Sequence, residues 1–287
     1  MTRLACILLN YRNPEDTSAC LESLARSRFD GKIFLVNNFP EDGSGIMLRA
    51  ALEGSGIPFL YLEPGVNTGF AGGCNLGIRE ALRENFSHIL ILNNDTVVAP
   101  DFFDEASRLA ALHPDEVLAG KILEIGTEAA THNIGSLSSL TGRVRHIFDP
   151  EYKGEIDFVS GCLMIVPCAV LKKTGLFDEK LFMYCEDMDL CMRFKREAVH
   201  IRYCPSILIH HKFSASAKAS GLPKERYIQR NQTYVILRRG NILQKMSYSL
   251  LLLVLPFYKA LIRPRLAGQA VRGAWEGVRG RLGPIAF

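Results

Sequence analysis

The chain has 287 residues, 48% of them hydrophobic and 22% charged, with 24 glycines, 13 prolines and one tryptophan. That length and apolar content support one large α/β domain or two small ones, and they exclude a disordered, collagen-like or low-complexity chain. The formal net charge of +4 hides a split: residues 1–215 carry 21 Lys and Arg against 28 Asp and Glu, whereas residues 216–287 carry 13 against 2, so an acidic body precedes a basic tail suited to an anionic partner surface.

Residues 4–9 are wholly apolar and predict a buried strand, followed by the polar turn Asn10-Tyr11-Arg12-Asn13-Pro14. A helix is expected over residues 15–25, with Pro14 near its first turn and Cys20, Leu21 and Leu24 at helical spacing. Residues 33–36 read as the next strand and end in Asn37-Asn38. A helix over 47–52, a strand over 59–62 and a helix over 77–85 lead to a strand over 88–92 that enters Asn93-Asn94-Asp95. This alternation predicts a mostly parallel sheet covered by helices. In such sheets ligands bind beyond the carboxyl ends of the strands, where these polar clusters fall.

Residues 126–157 are richer in Gly, Ser and Thr and read as connecting strands or a lid. Residues 158–167 form another apolar run, and helices are expected over 170–177 and 187–196. No internal repeat is visible. Past residue 225 a basic amphipathic helix is expected over 227–239. Residues 247–262 are then almost wholly apolar except for Lys259, contain Pro256, and are followed by Arg263, Arg265, Arg272, Arg279 and Arg281. The apolar part is shorter than the ~20 residues a span needs. In-plane insertion into an anionic leaflet, a spanning or re-entrant segment, and a buried core helix are its three readings. The eight cysteines form no CxxC pair, and no charged leader with a cleavage site precedes the first strand, so reduced thiols in a cytoplasmic protein are expected.

Four clusters can carry chemistry. Asn67 to Gly77 contains Gly69, Gly72, Gly73 and Gly77 between a strand and a helix. It reads either as a tight connection or as a loop whose amides approach a phosphate or sugar. Asp95 ends a strand with Asn93 two residues before it on the same side; it either caps the next helix or, as a hard oxygen ligand, holds Mg2+ or Mn2+ on a diphosphate. Glu186, Asp187 and Asp189 open a helix, either to suit its dipole or as a general base with orienting acids. His210-His211 end a strand and point to opposite faces, so at most one serves a given site.

In this order and spacing, these elements resemble the family 2 glycosyltransferases of the GT-A fold, in the branch of bacterial rhamnosyltransferases and related polysaccharide-assembly enzymes. The resemblance covers about residues 3–240 and includes Ser160-Gly161-Cys162, the run from Gly175 through Arg193, and Arg230-Asn231. It implies a mostly parallel α/β catalytic domain over 1–224, with a nucleotide-sugar half at 1–97 and an acceptor half at 98–224. A basic helical extension at 225–287 follows. By the same resemblance, Asn10, Tyr11 and Arg12 line the nucleotide, and Asn37 stands where the family often has an Asp on the base. Asn67, Gly69, Phe70, Gly72, Gly73, Asn75, Asn93, Asn94 and Arg230 join the donor site. Asp95 matches the last acid of the DxD metal motif with Asn93 in place of the first, His210 completes the metal shell, and Asp187 is the catalytic base beside Glu186 and Asp189.

The implied reaction is inverting transfer from a nucleotide-diphosphate sugar, dTDP-rhamnose before a UDP-hexose, to a glycan or polyprenyl-linked saccharide. It would use a divalent cation and take place at the inner face of the cell membrane. The rivals are a sugar-1-phosphate nucleotidyltransferase, whose Gly-rich loop after the first strand is missing here, and a non-catalytic nucleotide-sugar-binding module. Nucleic acid is not an expected partner, because the aliphatic run from Leu250 to Leu255 does not suit a phosphate-tracking surface.

Overall fold

The computed structural model describes residues 2–127, 129–131, 133–212, 224–262 and 264–285. Strands β1 (Leu4–Asn10), β2 (Lys32–Asn37), β3 (Phe59–Leu62) and β4 (His88–Asn93) lie parallel in the order β3-β2-β1-β4. They are linked by helices α1 (Pro14–Arg26), α2 (Gly45–Ser55) and α3 (Gly69–Arg83). After the short β5 (Thr96–Val98) and α4 (Phe102–Leu112), β6 (Val117–Glu124) joins the same sheet. A second, three-stranded sheet consists of β7 (Ile134–Leu137), β8 (Val144–Ile147) and β9 (Phe158–Val159).

β10 (Leu163–Pro167) runs antiparallel between β4 and β6, and β11 (Ile201–His211) pairs in parallel with β6 and antiparallel with β5. The eight-stranded sheet is therefore mostly parallel, as expected. The apolar run at 158–167 is two strands in two sheets, broken at Ser160-Gly161-Cys162, and the segment at 126–157 supplies the hairpin of the small sheet.

The inner strands read as continuous apolar runs because both of their faces are covered. Ala5 and Ile7 of β1 enter one core with Ile89, Ile91, Met164 and Val166. Leu4, Cys6 and Leu8 enter the opposite core with Leu90, Leu92, Leu163 and Ile165. Polar side chains at the carboxyl ends of β1, β2 and β4 therefore emerge together where the apolar pattern stops.

Helices α5 (Cys168–Thr174) and α6 (Glu186–Arg196) precede β11, and α7 (Lys224–Arg239), α8 (Ile242–Ile262) and α9 (Pro264–Val278) close the chain. α7 covers the helix expected over 227–239, and Gln229, Arg230, Asn231 and Thr233 are all buried in it. Arg239 Nε donates to Asp189 Oδ1 at 2.7 Å and ties α7 to α6. α9 lies close against α7 through two glycines, because a Cβ on Gly273 or Gly277 would press on the carbonyl oxygen of Arg226 or Arg230. Arg263 and the side chains of Lys259 and Arg265 lie outside the described residues.

Candidate active site

The floor of the site is a buried network of amides. Asn10 Nδ2 donates to Asn37 Oδ1 at 3.0 Å, and Thr17 Oγ1 donates to Asn10 Oδ1 at 2.9 Å. Asn37 Nδ2 donates in turn to Ser44 Oγ and Tyr61 Oη, both at 3.0 Å. Asn10 and Asn37 are each 0% exposed. Asn37, expected on the base, thus has both arms of its amide occupied and holds Asn10 from behind. Asn94 Nδ2 extends the network to Thr17 Oγ1 at 2.7 Å. Above this floor Tyr11 and Phe39 pack edge to face at 5.6 Å, and the Arg12 guanidinium lies 4.1 Å from the Phe39 ring centre.

The glycine-rich segment is not an open loop. α3 begins at Gly69, and its first amides already have protein partners. Thr68 N donates to Asn38 Oδ1 at 3.0 Å, Gly69 N to Asn67 Oδ1 at 2.9 Å and Ala71 N to the carbonyl of Phe182 at 3.3 Å. The glycines serve close packing: Gly69 (φ +72°) abuts Phe182, Gly72 faces Thr68, and Gly73 and Gly77 face Leu9 and Ile7 of β1. Asn38, absent from the expected set, ties this turn to β2. Phe70 packs on Phe177 at 5.9 Å, and Asn75 spends its amide on Phe177 and Glu179. Of the two readings of this segment, the contacts are those of a tight connection, a helix start that braces the turn before α6.

That turn is strained. Phe182, Tyr184 and Cys185 hold φ values of 64°, 69° and 67°, a left-handed region costly for residues with a Cβ. Asn231 of α7 counters the strain, with its Nδ2 at 2.8 Å from the carbonyl oxygens of Leu181, Met183 and Tyr184. The turn delivers Glu186 and Asp187 at the start of α6. Asp187 Oδ1 accepts from Met188 N at 2.7 Å, and Oδ2 accepts from Gly161 N at 3.3 Å. Burial raises the Asp187 carboxyl above its ordinary pKa, opposed by those N–H donors. Burial pushes Glu186 well up, and the neighbouring Asp187 charge adds to the effect. Glu186 Oε2 has no hydrogen-bond partner among the described residues. Asp189 differs from both: it is 0% exposed, and its two oxygens are held by Arg193 and Arg239. It joins α6 to α7 and does not face the site as an orienting acid.

Gly161-Cys162 connects the acids to the end of β4, because Asn93 N donates to the carbonyl of Cys162 at 3.0 Å. Two residues on, Asp95 Oδ1 lies 3.0 Å from Nε2 of His211. The histidine beside Asp95 is thus His211, and His210 takes the opposite face of β11, because adjacent strand residues alternate. Burial alone would lower the His211 pKa, but Cys162 and the hydrogen bond to Asp95 outweigh it and raise it to about 10. Among the described residues no group of three or more His, Cys, Asp or Glu is arranged to hold a metal. A carboxylate and an imidazole side by side fit a cation only if it displaces the proton that His211 otherwise keeps, with its remaining ligands coming from substrate phosphates.

α7 completes the wall with Tyr227 and Arg230. The Arg230 guanidinium lies 4.8 Å from the Tyr227 ring centre, and its Nε donates to Asn231 Oδ1 at 2.9 Å. Its Nη2 is buried without a partner among the described residues, an unmet donor suited to an anionic ligand. Burial lowers the Arg230 pKa. Tyr227, with its pKa raised by burial and also by Tyr11, marks the place where α7 meets the turn after β1. The resemblance includes Asn231 beside Arg230 but gives it no role, and no signal in the sequence separates Tyr227 from the other residues of a basic helix.

The family model described as glycosyltransferase like family 2 matches residues 3–231. The low-salt glycan biosynthesis hexosyltransferase Agl10 of Haloferax volcanii is 26% identical over 303 residues, covering 98% of this chain and 92% of that protein. The dTDP-rhamnosyl transferase RfbF of Shigella flexneri is 22% identical over 188 residues, covering 62% of each. Among solved structures, S. aureus TarS 1-349 in complex with UDP-GlcNAc matches with a TM-score of 0.62 at 14% identity, over 97% of this chain and 81% of that one. The mannosyltransferase PcManGT from Pyrobaculum calidifontis in complex with GDP-Man and Mn2+ matches at 0.59 and 12% identity, over 96% and 87%. The shared architecture is the GT-A fold.

Proposed function

The chain belongs to the glycosyltransferase like family 2, and from that premise we propose that it transfers one sugar, with inversion, from a nucleoside diphosphate donor to a hydroxyl of a glycan or polyprenyl-linked saccharide. The observation that carries this reading is the placing of Asp187 and of the Asp95–His211 pair on either side of Gly161-Cys162. This supports a proton acceptor and a diphosphate site close to one short backbone segment.

In this reading the acceptor oxygen attacks the anomeric carbon as its proton passes to Asp187, and the bond to the diphosphate breaks on the opposite side. Asp187 suits the role because its raised pKa strengthens it as a base. Burial is what raises Asp187, and its charge in turn raises the neighbouring Glu186. Arg230 points its unpartnered Nη2 at the leaving diphosphate. Asp95 and His211 would hold a divalent cation, which supplies positive charge to the same leaving group. The base and ribose rest against Tyr11, Arg12 and Phe39, over the Asn10–Asn37 floor.

dTDP-rhamnose is the first donor to test, supported by the likeness to RfbF, and UDP-hexoses come next. The acceptor is placed at the cytoplasmic face of an anionic membrane. The deciding experiment mixes each donor with Mn2+ and a lipid-linked saccharide and measures free nucleoside diphosphate together with the anomeric configuration of the product. Release of dTDP or UDP with an inverted linkage is the expected result. Pyrophosphate-dependent exchange of sugar 1-phosphate, or retention of configuration, would overturn the reading.

A further inference from the structure

α8 has two apolar sides, and the body uses only one. Gln244, Tyr248 and Leu255 are buried, with Gln244 Nε2 donating to the carbonyl of Ser138 at 3.0 Å and Gln229 Nε2 donating to Tyr248 Oη at 3.0 Å. On the other side Ile242, Met246, Leu250, Leu253, Phe257 and Leu261 are exposed by 74, 62, 65, 70, 77 and 85%. At ~100° per residue these six share one arc of about 100°, and at ~1.5 Å per residue the stripe is about 29 Å long. An exposed apolar stripe of this extent marks a docking surface. No helix among the described residues is long and apolar enough to cross a membrane. With its inner face fixed to the body, α8 meets a bilayer only by lying flat on it.

Charge selects the occupant. α7 and α9 border α8, and Arg238, Arg272, Arg279 and Arg281 are exposed on or just beyond them. Glu276, one of only two acids after residue 215, is bound by Arg226. Two copies meeting on this face would bring two strongly basic regions together, whereas an anionic bilayer neutralises them and takes up the apolar stripe. We propose that α8 is an interfacial docking helix whose stripe from Ile242 to Leu261 enters the headgroup–acyl boundary of an anionic membrane, with the arginines of α7 and α9 on the lipid phosphates. This deepens, and rests on, the reading that the acceptor is membrane-borne.

The test uses the full chain in flotation with vesicles of phosphatidylglycerol and phosphatidylethanolamine, compared with phosphatidylcholine alone. The wild type should float with the anionic vesicles. Joint Leu250→Ser and Leu253→Ser substitution should lower the bound fraction at least about tenfold, with donor binding unchanged. A gain-of-signal variant guards against misfolding: Phe257→Trp in a Trp275→Phe background places the sole tryptophan on the stripe. Its emission should shift to the blue and be quenched by brominated acyl chains only with anionic vesicles.

The proposal is overturned if the wild type stays unbound or the serine variant floats equally well. It is also overturned if the stripe tryptophan is not quenched, or if the wild type is a dimer that the serine pair dissolves. Failure of the transferase reading looks different: vesicles are bound but no nucleoside diphosphate is released. Failure of docking alone leaves release onto a soluble acceptor intact.

Discussion

The side-chain amide of Asn231 donates to the carbonyl oxygen of Tyr184 at 2.8 Å, and the same nitrogen reaches Leu181 and Met183 at that distance. The turn it holds contains three left-handed residues and ends at the two acids of the site. Asn231→Ala removes the donor and leaves the carbonyls unsatisfied, which should cost about 1–3 kcal/mol in urea unfolding. The near-isosteric Asn231→Asp should be worse, since it sets a carboxylate against three carbonyls. Both should lower kcat far more than they change donor Kd, because Asn231 acts through the position of Asp187. Equal losses in kcat and donor affinity would point to general unfolding of α7.

Asp187→Asn should keep donor affinity within a few-fold and lower transfer by roughly 10²–10⁴, the range of a lost general base. The wild-type rate should rise with pH through a value above the ordinary carboxylate range, because burial raises both Asp187 and Glu186. Glu186→Gln leaves in place the burial and the N–H donors that set the Asp187 pKa, so that rising limb should stay near its wild-type pH. Stability has the opposite sign. The folded state keeps protons that the unfolded chain has already released, so the pair's contribution falls as pH rises from the unfolded carboxylate pKa through the folded one. Thermal unfolding of Glu186→Gln should therefore lose less Tm than the wild type over that interval. Parallel curves would place the raised pKa elsewhere.

The cation site can be tested through the two adjacent histidines. His211→Ala and Asp95→Ala should each weaken Mn2+-dependent nucleotide binding by at least about tenfold, while His210→Ala should leave it near wild type. Titration calorimetry with a nucleoside diphosphate, with and without Mn2+, separates the cases. A loss in His210→Ala matching that in His211→Ala would remove the distinction between the two faces of β11.

The sequence made the inner strands legible because burial on both faces turns β1, β4 and β10 into unbroken apolar runs. Where side-chain parity or a distant partner decided the outcome, it was silent. His210 and His211 differ only in which face of β11 they occupy, and that depends on pairing with β5 and β6. Gly69, Gly72, Gly73 and Gly77 suit a tight connection or a ligand-facing loop equally well in the sequence, and only Phe182, Thr68, Leu9 and Ile7 packed against them show the close approach. The resemblance sets Asn37 at the base, but the sequence does not show that its amide bonds Asn10, Ser44 and Tyr61, which come from three separate segments. α7 carries no clear apolar stripe because it buries Gln229, Arg230, Asn231 and Thr233 along with Tyr227, Val235 and Ile236, with Asn231 bonded to the turn before α6 and Gln229 to Tyr248 of α8.

The contact between α7 and α9 gives a test of how far the C-terminal helices govern the site. A Cβ at Gly277 would fall well inside contact with the Arg230 carbonyl oxygen and only 2.8 Å from Thr233 Cβ. Backbone cannot yield as a flexible side-chain tip does, so Gly277→Ala must push α9 and α7 apart. Overpacking of this kind costs about 1–3 kcal/mol. The displaced segment carries Arg230, whose unpartnered Nη2 is assigned to the diphosphate, and Asn231, which holds the turn before Asp187. The expected result is a lower Tm together with weaker donor binding, though residue 277 touches no ligand. Gly268 offers the control: it lies on the same helix with no atom within 4 Å of an added Cβ. Gly268→Ala should hold or raise Tm, since alanine favours the helix by ~1 kcal/mol, and should leave donor affinity unchanged. If Gly277→Ala bound donor as tightly as Gly268→Ala, α9 would be a passive cover and not a support for Arg230.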